Sequence, residues 1–195
     1  MKNPLLYKII RPLMSGAFKL FYRPTFINKK VIPKTGRLVL AGTHVSKMDP
    51  LIIASSTKRC VRGVAKAELF KGIGKVFFNG IGAIPVNRQI KDQSVIPACV
   101  RILEQDGLVG IAPEGTINRT DEIIMPFKLG ALKMAIESKS PIVPFAIIGE
   151  YKLFKKGIKI AFGELYYPKT TDAAQETKIL ENKVIKLIKK YQEYE

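Results

Sequence analysis

The segment THVSKMDP, residues 43–50, contains the only histidine among 195 residues, His44, and an aspartate five positions later, Asp49. A carboxylate in contact with an imidazole fixes its tautomer, raises its basicity and stabilises the imidazolium that forms when the ring takes a proton. On one continuous helix this spacing would leave the two side chains about 140° apart. The segment instead runs from an apolar strand through a loop into a helix that begins with Pro50, and a loop lets the two groups meet. The alternative is that Asp49 only caps that helix and His44 is an ordinary loop residue.

Other reaction chemistries find little support in the sequence. No G-x-S-x-G elbow occurs, and neither Cys60 nor Cys99 stands in a recognisable nucleophile setting. One histidine without clustered cysteines gives no set of metal ligands. Neither a Walker A spacing nor a complete dinucleotide fingerprint is present. If the protein is an enzyme, we therefore expect His44 to activate a hydroxyl group of the substrate itself.

Two further segments carry residues that could bind a ligand. In APEGTINRT, the residues Glu114, Gly115 and Thr116 form a tight turn at the exit of a strand. Glycine lets the backbone approach a ligand, and nearby amides can face an anion; a purely structural turn is the alternative. In GAIPVNRQ, Arg88 ends a short strand, where its guanidinium could bind a phosphate through two hydrogen bonds. A surface salt bridge is the alternative for this arginine.

Short apolar runs alternate with helical patterns after Pro33, which predicts an α/β protein with helices on the faces of its sheet. The predicted strands cover residues 37–43, 61–67, 82–86, 108–113, 141–148 and 158–165. The predicted helices cover residues 50–57, 68–77, 93–107 and 127–138, followed by a final helix that Asp172 and Gln175 cap. Ligands of such proteins bind beyond the carboxyl ends of the strands, so we expect the site at that edge.

The composition predicts one compact, positively charged domain. Lys and Arg number 33 against 16 Asp and Glu, which gives a formal net charge of +17 and favours a polyanionic partner. Nucleic acid, anionic lipid, a phosphorylated substrate and an acidic carrier protein all fit this charge. Nucleic-acid binding would depend on charge alone, because no recognition motif accompanies it, and we expect no such partner. Two cysteines give no disulfide framework, which indicates an intracellular protein.

The first helical pattern, residues 5–21, places apolar pairs every three to four residues with Lys and Arg between them. Its apolar runs are too short to cross a bilayer, and charges interrupt the apolar stretch that a signal peptide would need. A basic amphipathic helix can lie in the membrane interface; packing on its own domain is the alternative. We therefore treat residues 1–30 as a membrane-associating segment and residues 31–195 as the domain that carries the chemistry.

Taken in order, HVSKMD, GAIPVNR, PEGT and PIVPF resemble the four sequence blocks of the lysophosphatidic acid acyltransferases, a family of glycerolipid acyltransferases. The resemblance implies a mixed, largely parallel central sheet flanked by helices, preceded by an N-terminal amphipathic helix. It also implies transfer of a fatty acyl group from acyl-CoA or acyl carrier protein to the free hydroxyl of lysophosphatidic acid, without a cofactor or a metal. The product would be phosphatidic acid.

The resemblance assigns a role to each block. It makes His44 the general base on the acceptor hydroxyl and Asp49 the carboxylate that orients it. It places Arg88 on the phosphate of the acceptor. The PEGT block would shape the phosphate end of the site through Glu114, Gly115 and Thr116.

The chain departs from the family after the PEGT block. Members commonly have Arg-Ser at this point, whereas Ile117 and Asn118 follow Thr116 here. A cation for the phosphate is therefore missing, and Arg119 or Lys128 could replace it. Another lysolipid is the alternative acceptor. The resemblance places the protein at the cytoplasmic face of the cell membrane, as a peripheral or monotopic enzyme.

Overall fold

A computed structural model describes residues 4–87, 89–90 and 92–192. The six helices of this part are α1 Leu5–Tyr22, α2 Asp49–Ser56, α3 Gly72–Gly80, α4 Val95–Glu104, α5 Gly130–Glu137 and α6 Ala173–Gln192. Its seven strands are β1 Thr25–Ile27, β2 Leu38–Gly42, β3 Val61–Lys66, β4 Ile84–Val86, β5 Leu108–Ile111, β6 Ile142–Gly149 and β7 Ile158–Phe162. Short 3-10 turns at Lys29–Val31 and Ala67–Phe70 complete the described elements.

The strands form one sheet in the order β1-β7-β6-β2-β5-β3-β4. Strands β2 to β6 all run in the same direction, whereas β7 is antiparallel to β6 and β1 is parallel to β7. The prediction of a mixed, largely parallel sheet flanked by helices is confirmed. Because five parallel strands end at one edge, the loops that follow β2, β5 and β6 open there together.

Each face of the sheet is covered by its own apolar cluster. Successive side chains of a strand point to opposite faces, so Leu38 and Leu40 of β2 pack toward α1 and α2, together with Phe18 and Ile52. On the other face, the side chains of β2 meet those of α4, α5 and α6. Burial on both faces explains why β2 reads as a continuous apolar run.

A glycine ends β2 because the next strand approaches too closely for a side chain. A Cβ built on Gly42 would lie 1.9 Å from the carbonyl oxygen of Phe145 in β6. No larger residue fits here without moving one of the two strands. The close approach fixes where the chain leaves the sheet, one residue before Thr43.

Two local predictions from the sequence were wrong. The helix predicted over residues 68–77 is two elements, because Gly72 has a φ of +53° and separates the 3-10 turn from α3. Strand β1 was not predicted; it lies in the segment 1–30 and pairs with β7 through the register of Phe26 with Ile160. The remaining predicted strands and helices are present, most of them shorter than predicted, whereas α2 and β6 keep their length and shift by one residue.

The predicted N-terminal helix is present as α1 and has two apolar faces. One face packs on the domain, where Tyr7 and Phe18 are buried. The opposite face exposes Leu5, Ile9, Leu13 and Leu20. Within the described residues, none of the helices combines the length and hydrophobicity that crossing a bilayer requires.

Candidate active site

His44 and Asp49 are in direct contact at the carboxyl end of β2. The Nδ1 atom of His44 lies 2.7 Å from Oδ2 of Asp49. A carboxylate can only accept hydrogen bonds, so Nδ1 carries the proton and donates it to Asp49. The second ring nitrogen, Nε2, then keeps its lone pair free. The His44 side chain is 20% exposed, whereas that of Asp49 is 3% exposed, so the imidazole is accessible from solvent and the carboxylate is buried.

Asp49 is held by the loop rather than by its own helix. Its Oδ2 accepts the backbone N–H groups of Val45 at 2.8 Å and Ser46 at 2.9 Å. The hydroxyl of Tyr151 donates to Oδ1 at 2.7 Å. Asp49 is the first residue of α2, yet its side-chain hydrogen bonds go to His44, Val45, Ser46 and Tyr151, which all lie outside that helix. The carboxylate therefore closes the loop onto the imidazole, and the alternative of a simple helix cap does not describe it.

The main chain of His44 is fixed from both sides by the loop after β5. Its N–H donates to Oε1 of Glu114 at 2.7 Å, and its carbonyl accepts the N–H of Asn118 at 2.8 Å. On the other side of β2, the N–H of Ile147 donates to the hydroxyl of Thr43 at 2.8 Å. These bonds lock the backbone that carries the imidazole to both neighbouring strands.

Glu114 is a buried brace between two loops. Only 3% of the residue is exposed, and its second oxygen, Oε2, accepts the N–H of Met125 at 2.9 Å. Burial raises the pKa of the Glu114 carboxyl, while the hydrogen bonds from the Met125 and His44 amides oppose that rise. Both of its oxygens bind backbone N–H groups, so the side chain orders the site; Glu114 also lines the cavity at this edge.

The other residues of the PEGT turn form the rim of this edge. Gly115 has a φ of +75°, and the Nζ atom of Lys128 lies 2.7 Å from the position that a Cβ on Gly115 would occupy. Lys128 thus lies over the turn. Thr116 and Arg119 are exposed. Arg88 lies outside the described residues.

A cavity of about 270 Å³ opens at the same edge of the sheet. Thr43 and Val45 line it, together with Ile188 of α6, whereas His44 between them does not. Because side chains alternate along an extended backbone, the imidazole points to the α2 side and the cavity lies on the α6 side. The contact with Asp49 at the start of α2 agrees with this placement of the imidazole.

The structure adds two contributors that the sequence did not indicate. Tyr151 follows β6 and Asn118 follows β5, so both lie at the carboxyl edge where a site was expected. Their positions after predicted strands were the available signal. Nothing in the spacing showed that a tyrosine would reach Asp49. Within the described residues, no group of three or more His, Cys, Asp or Glu side chains could hold a metal ion.

The fold is an α/β sheet with a His–Asp contact at the carboxyl edge of its parallel strands, and comparison with known proteins identifies its class. Residues 23–148 match the Acyltransferase family. The chain is 37% identical over 144 residues to a 1-acyl-sn-glycerol-3-phosphate acyltransferase of Bacillus subtilis, which covers 70% of each protein. It is 29% identical over 130 residues to the enzyme of that name from Borreliella burgdorferi, covering 65% of this chain and 52% of the relative.

A crystal structure of the 1-acyl-sn-glycerophosphate acyltransferase PlsC from Thermotoga maritima superimposes with a TM-score of 0.79. The match covers 94% of this chain and 78% of the other, at 22% identity, and so shows a shared fold. The chain belongs to the acyltransferase family. It is accordingly an enzyme of the acyl-transfer class.

Proposed function

We propose that this enzyme transfers a fatty acyl group from a thioester, on coenzyme A or acyl carrier protein, to the free hydroxyl of lysophosphatidic acid, giving phosphatidic acid. The observation that carries the proposal is the 2.7 Å contact between His44 Nδ1 and Asp49 Oδ2, which leaves Nε2 free as a base. The names of the relatives from Bacillus subtilis and Borreliella burgdorferi support the choice of acceptor.

The proposed reaction uses the imidazole as a proton carrier. Nε2 of His44 takes the proton of the acceptor hydroxyl as its oxygen attacks the thioester carbonyl, and Asp49 stabilises the imidazolium. When the tetrahedral intermediate collapses, the C–S bond breaks and the imidazolium returns its proton to the leaving sulfur. Atoms and charges balance within the two substrates, so we propose that no cofactor or metal takes part.

Cations around the PEGT turn are the proposed ligands of the acceptor phosphate. Lys128 lies over Gly115, and Arg119 is exposed on the same loop. Arg88 remains a prediction from its position in GAIPVNR. Since Ile117 stands where relatives of this type commonly have an arginine, a different lysolipid is the alternative acceptor, and the assay must compare several.

The enzyme is proposed to sit on the cytoplasmic face of the cell membrane, as a peripheral or monotopic protein. Helix α3 approaches α1 where Gly80 meets Leu6, and its Ile73 is 91% exposed. Near the end of α1, Phe154 contacts Phe21 with ring centroids 5.4 Å apart. We propose that the exposed apolar side chains of these segments form one membrane-facing surface. We call this surface the apolar face. Its exposed members are Leu5, Ile9, Leu13, Leu20, Phe21, Leu69, Ile73, Val76, Phe77, Leu153 and Phe154.

Charge and chemistry both favour a bilayer as the partner of the apolar face. Lys8, Lys19 and Lys75 lie on the same helices, and lysines beside an apolar surface attract anionic lipid head groups. A lysolipid acceptor would then reach His44 from the membrane while a soluble thioester arrives from water. The two free cysteines, both buried, agree with a reducing compartment.

The experiment is an acyl-transfer assay with purified protein, lysophosphatidic acid and other lysolipids in vesicles, and acyl-CoA or acyl carrier protein thioester. Thiol release is followed by a thiol reagent and the lipid product by mass spectrometry. Cys60 and Cys99 are buried, so the protein itself adds little thiol signal. We expect His44→Ala to abolish transfer and keep the unfolding temperature of the wild type. Transfer at the wild-type rate by His44→Ala would refute the base assignment.

A further inference from the structure

Tyr151 holds the oxygen of Asp49 that faces away from the imidazole. Its hydroxyl donates to Oδ1 at 2.7 Å, while Oδ2 binds Nδ1 of His44. A carboxylate bonded at both oxygens cannot rotate about its terminal torsion without losing a charge-assisted hydrogen bond. The orientation of the carboxylate, and with it that of the imidazole, therefore depends on a residue outside the loop.

The ring of Tyr151 is in turn fixed by helix α1. It packs edge-on against Phe18, with centroids 6.1 Å apart at 61°, and against Tyr22, at 5.9 Å and 85°. Phe18 and Tyr22 also contact each other at 5.2 Å. Edge-to-face pairs at these separations are attractive and directional. One continuous chain of contacts thus runs from α1 through Tyr151 to Asp49 and His44.

We propose that Tyr151 is a positioning residue that orients Asp49 toward His44 and links this pair to α1, the helix that carries the apolar face. The inference rests on the proposed function for its catalytic meaning. The link itself is a statement about the imidazole and does not require a known substrate. It implies that the packing of α1 on the domain affects the hydrogen bond between His44 and Asp49.

Tyr151 remains a donor at any pH that the protein tolerates. Burial raises the pKa of its phenol, and the negative charge of Asp49 beside it raises that pKa further. In the described structure, the titratable groups placed against the pair are Tyr151 from the β6 side and Glu114 from the β5 side. A variant that changes Tyr151 and keeps Glu114 therefore separates the effect of Tyr151 on the His44–Asp49 pair from that of Glu114.

The test uses the fact that the chain has one histidine. In protein purified without a histidine tag, the imidazole gives a single set of NMR signals, and the Nδ1–H proton that it donates to Asp49 can be followed directly. Tyr151→Phe keeps the ring and removes only the donor that holds Oδ1, so the carboxylate is free to rotate and the Nδ1–H signal should shift and broaden. With the acyl-transfer assay, kcat should fall about tenfold while KM changes little.

Tyr166→Phe is the matched control. The Tyr166 hydroxyl is also buried but has no hydrogen-bond partner, so its loss should leave the Nδ1–H signal of His44 and kcat at wild-type values. A third variant, Tyr22→Leu, keeps the Tyr151 hydroxyl and loosens its ring. It should shift the Nδ1–H signal in the same direction as Tyr151→Phe, by a smaller amount.

Each outcome decides the inference. An unchanged His44 Nδ1–H signal in Tyr151→Phe, or equal effects of Tyr151→Phe and Tyr166→Phe, overturns the positioning role. A wild-type Nδ1–H signal in Tyr22→Leu overturns the link to α1. Failure of the wild-type protein to transfer acyl groups refutes the proposed function instead, and the NMR signal still reports on Tyr151.

Discussion

Replacing the carboxylate of Asp49 with an amide isolates the contribution of its charge. In Asp49→Asn, the amide oxygen can take the place of Oδ2 and still accept from His44, Val45 and Ser46, whose donors converge there. The amide nitrogen can then donate to the oxygen of Tyr151, because a phenol also accepts. The loop is thus expected to survive, and the free energy of unfolding should change by only about 1–2 kcal/mol.

The rate should fall much more, because a neutral amide does not stabilise the imidazolium. Two unit charges 4 Å apart interact by about 4 kcal/mol at an effective dielectric constant of about 20. The His44 side chain is 20% exposed, so solvent screening reduces the loss to about 2–4 kcal/mol. At about 1.4 kcal/mol for each factor of ten, kcat should fall roughly 30- to 1,000-fold, with little change in KM.

The assay measures thiol release under saturating acceptor and donor, alongside urea unfolding of each variant. Asp172→Asn is the control, since Asp172 likewise accepts two backbone N–H groups, from Ala174 and Gln175. Asparagine is an equally good cap there, so activity and stability should stay at wild-type values. A kcat for Asp49→Asn within about threefold of the wild type would show that the charge is not needed and refute the electrostatic reasoning.

Two further predictions concern the brace and the membrane. Glu114→Gln places an amide donor opposite the N–H of either His44 or Met125. We therefore expect the free energy of unfolding to fall by about 1–3 kcal/mol and kcat to be lower. Wild-type stability of this variant in urea denaturation would contradict the bracing role. The double variant Ile73→Lys, Val76→Lys should reduce the fraction of protein that sediments with anionic vesicles. Its unfolding temperature should not change, because both side chains are exposed. Undiminished vesicle binding would exclude α3 from the apolar face.

The two faces of α1 show how much of a helix's environment the hydrophobic periodicity of its sequence can predict. The repeat of apolar pairs correctly predicted a helix, and it left membrane contact and domain packing as alternatives. The structure shows that one helix face packs on the domain through Tyr7 and Phe18, while Leu5, Ile9 and Leu13 face outward. A sequence pattern reveals that two apolar stripes exist, but only the position of the neighbouring elements decides which one is covered.

The short strand β1 illustrates the opposite limit. Three residues, Thr25–Ile27, carry too little pattern to be recognised, and the strand exists because β7 offers its unpaired edge. Similarly, Gly72 ends the helical pattern around it through its backbone conformation, which hydrophobic spacing does not encode. Both errors arose where a backbone feature, rather than a side-chain pattern, determined the element.

The sequence by itself determined the local chemistry: one histidine, an aspartate five residues on, and a Pro50 that starts the helix after their loop. These features depend on residues that are close in sequence, because neighbouring residues set the length of a loop and the direction of a strand. The tertiary structure alone decided that Glu114, Asn118 and Tyr151 would close around that loop. Such contacts depend on which strands lie side by side, and the burial of apolar surface across the whole sheet sets that order.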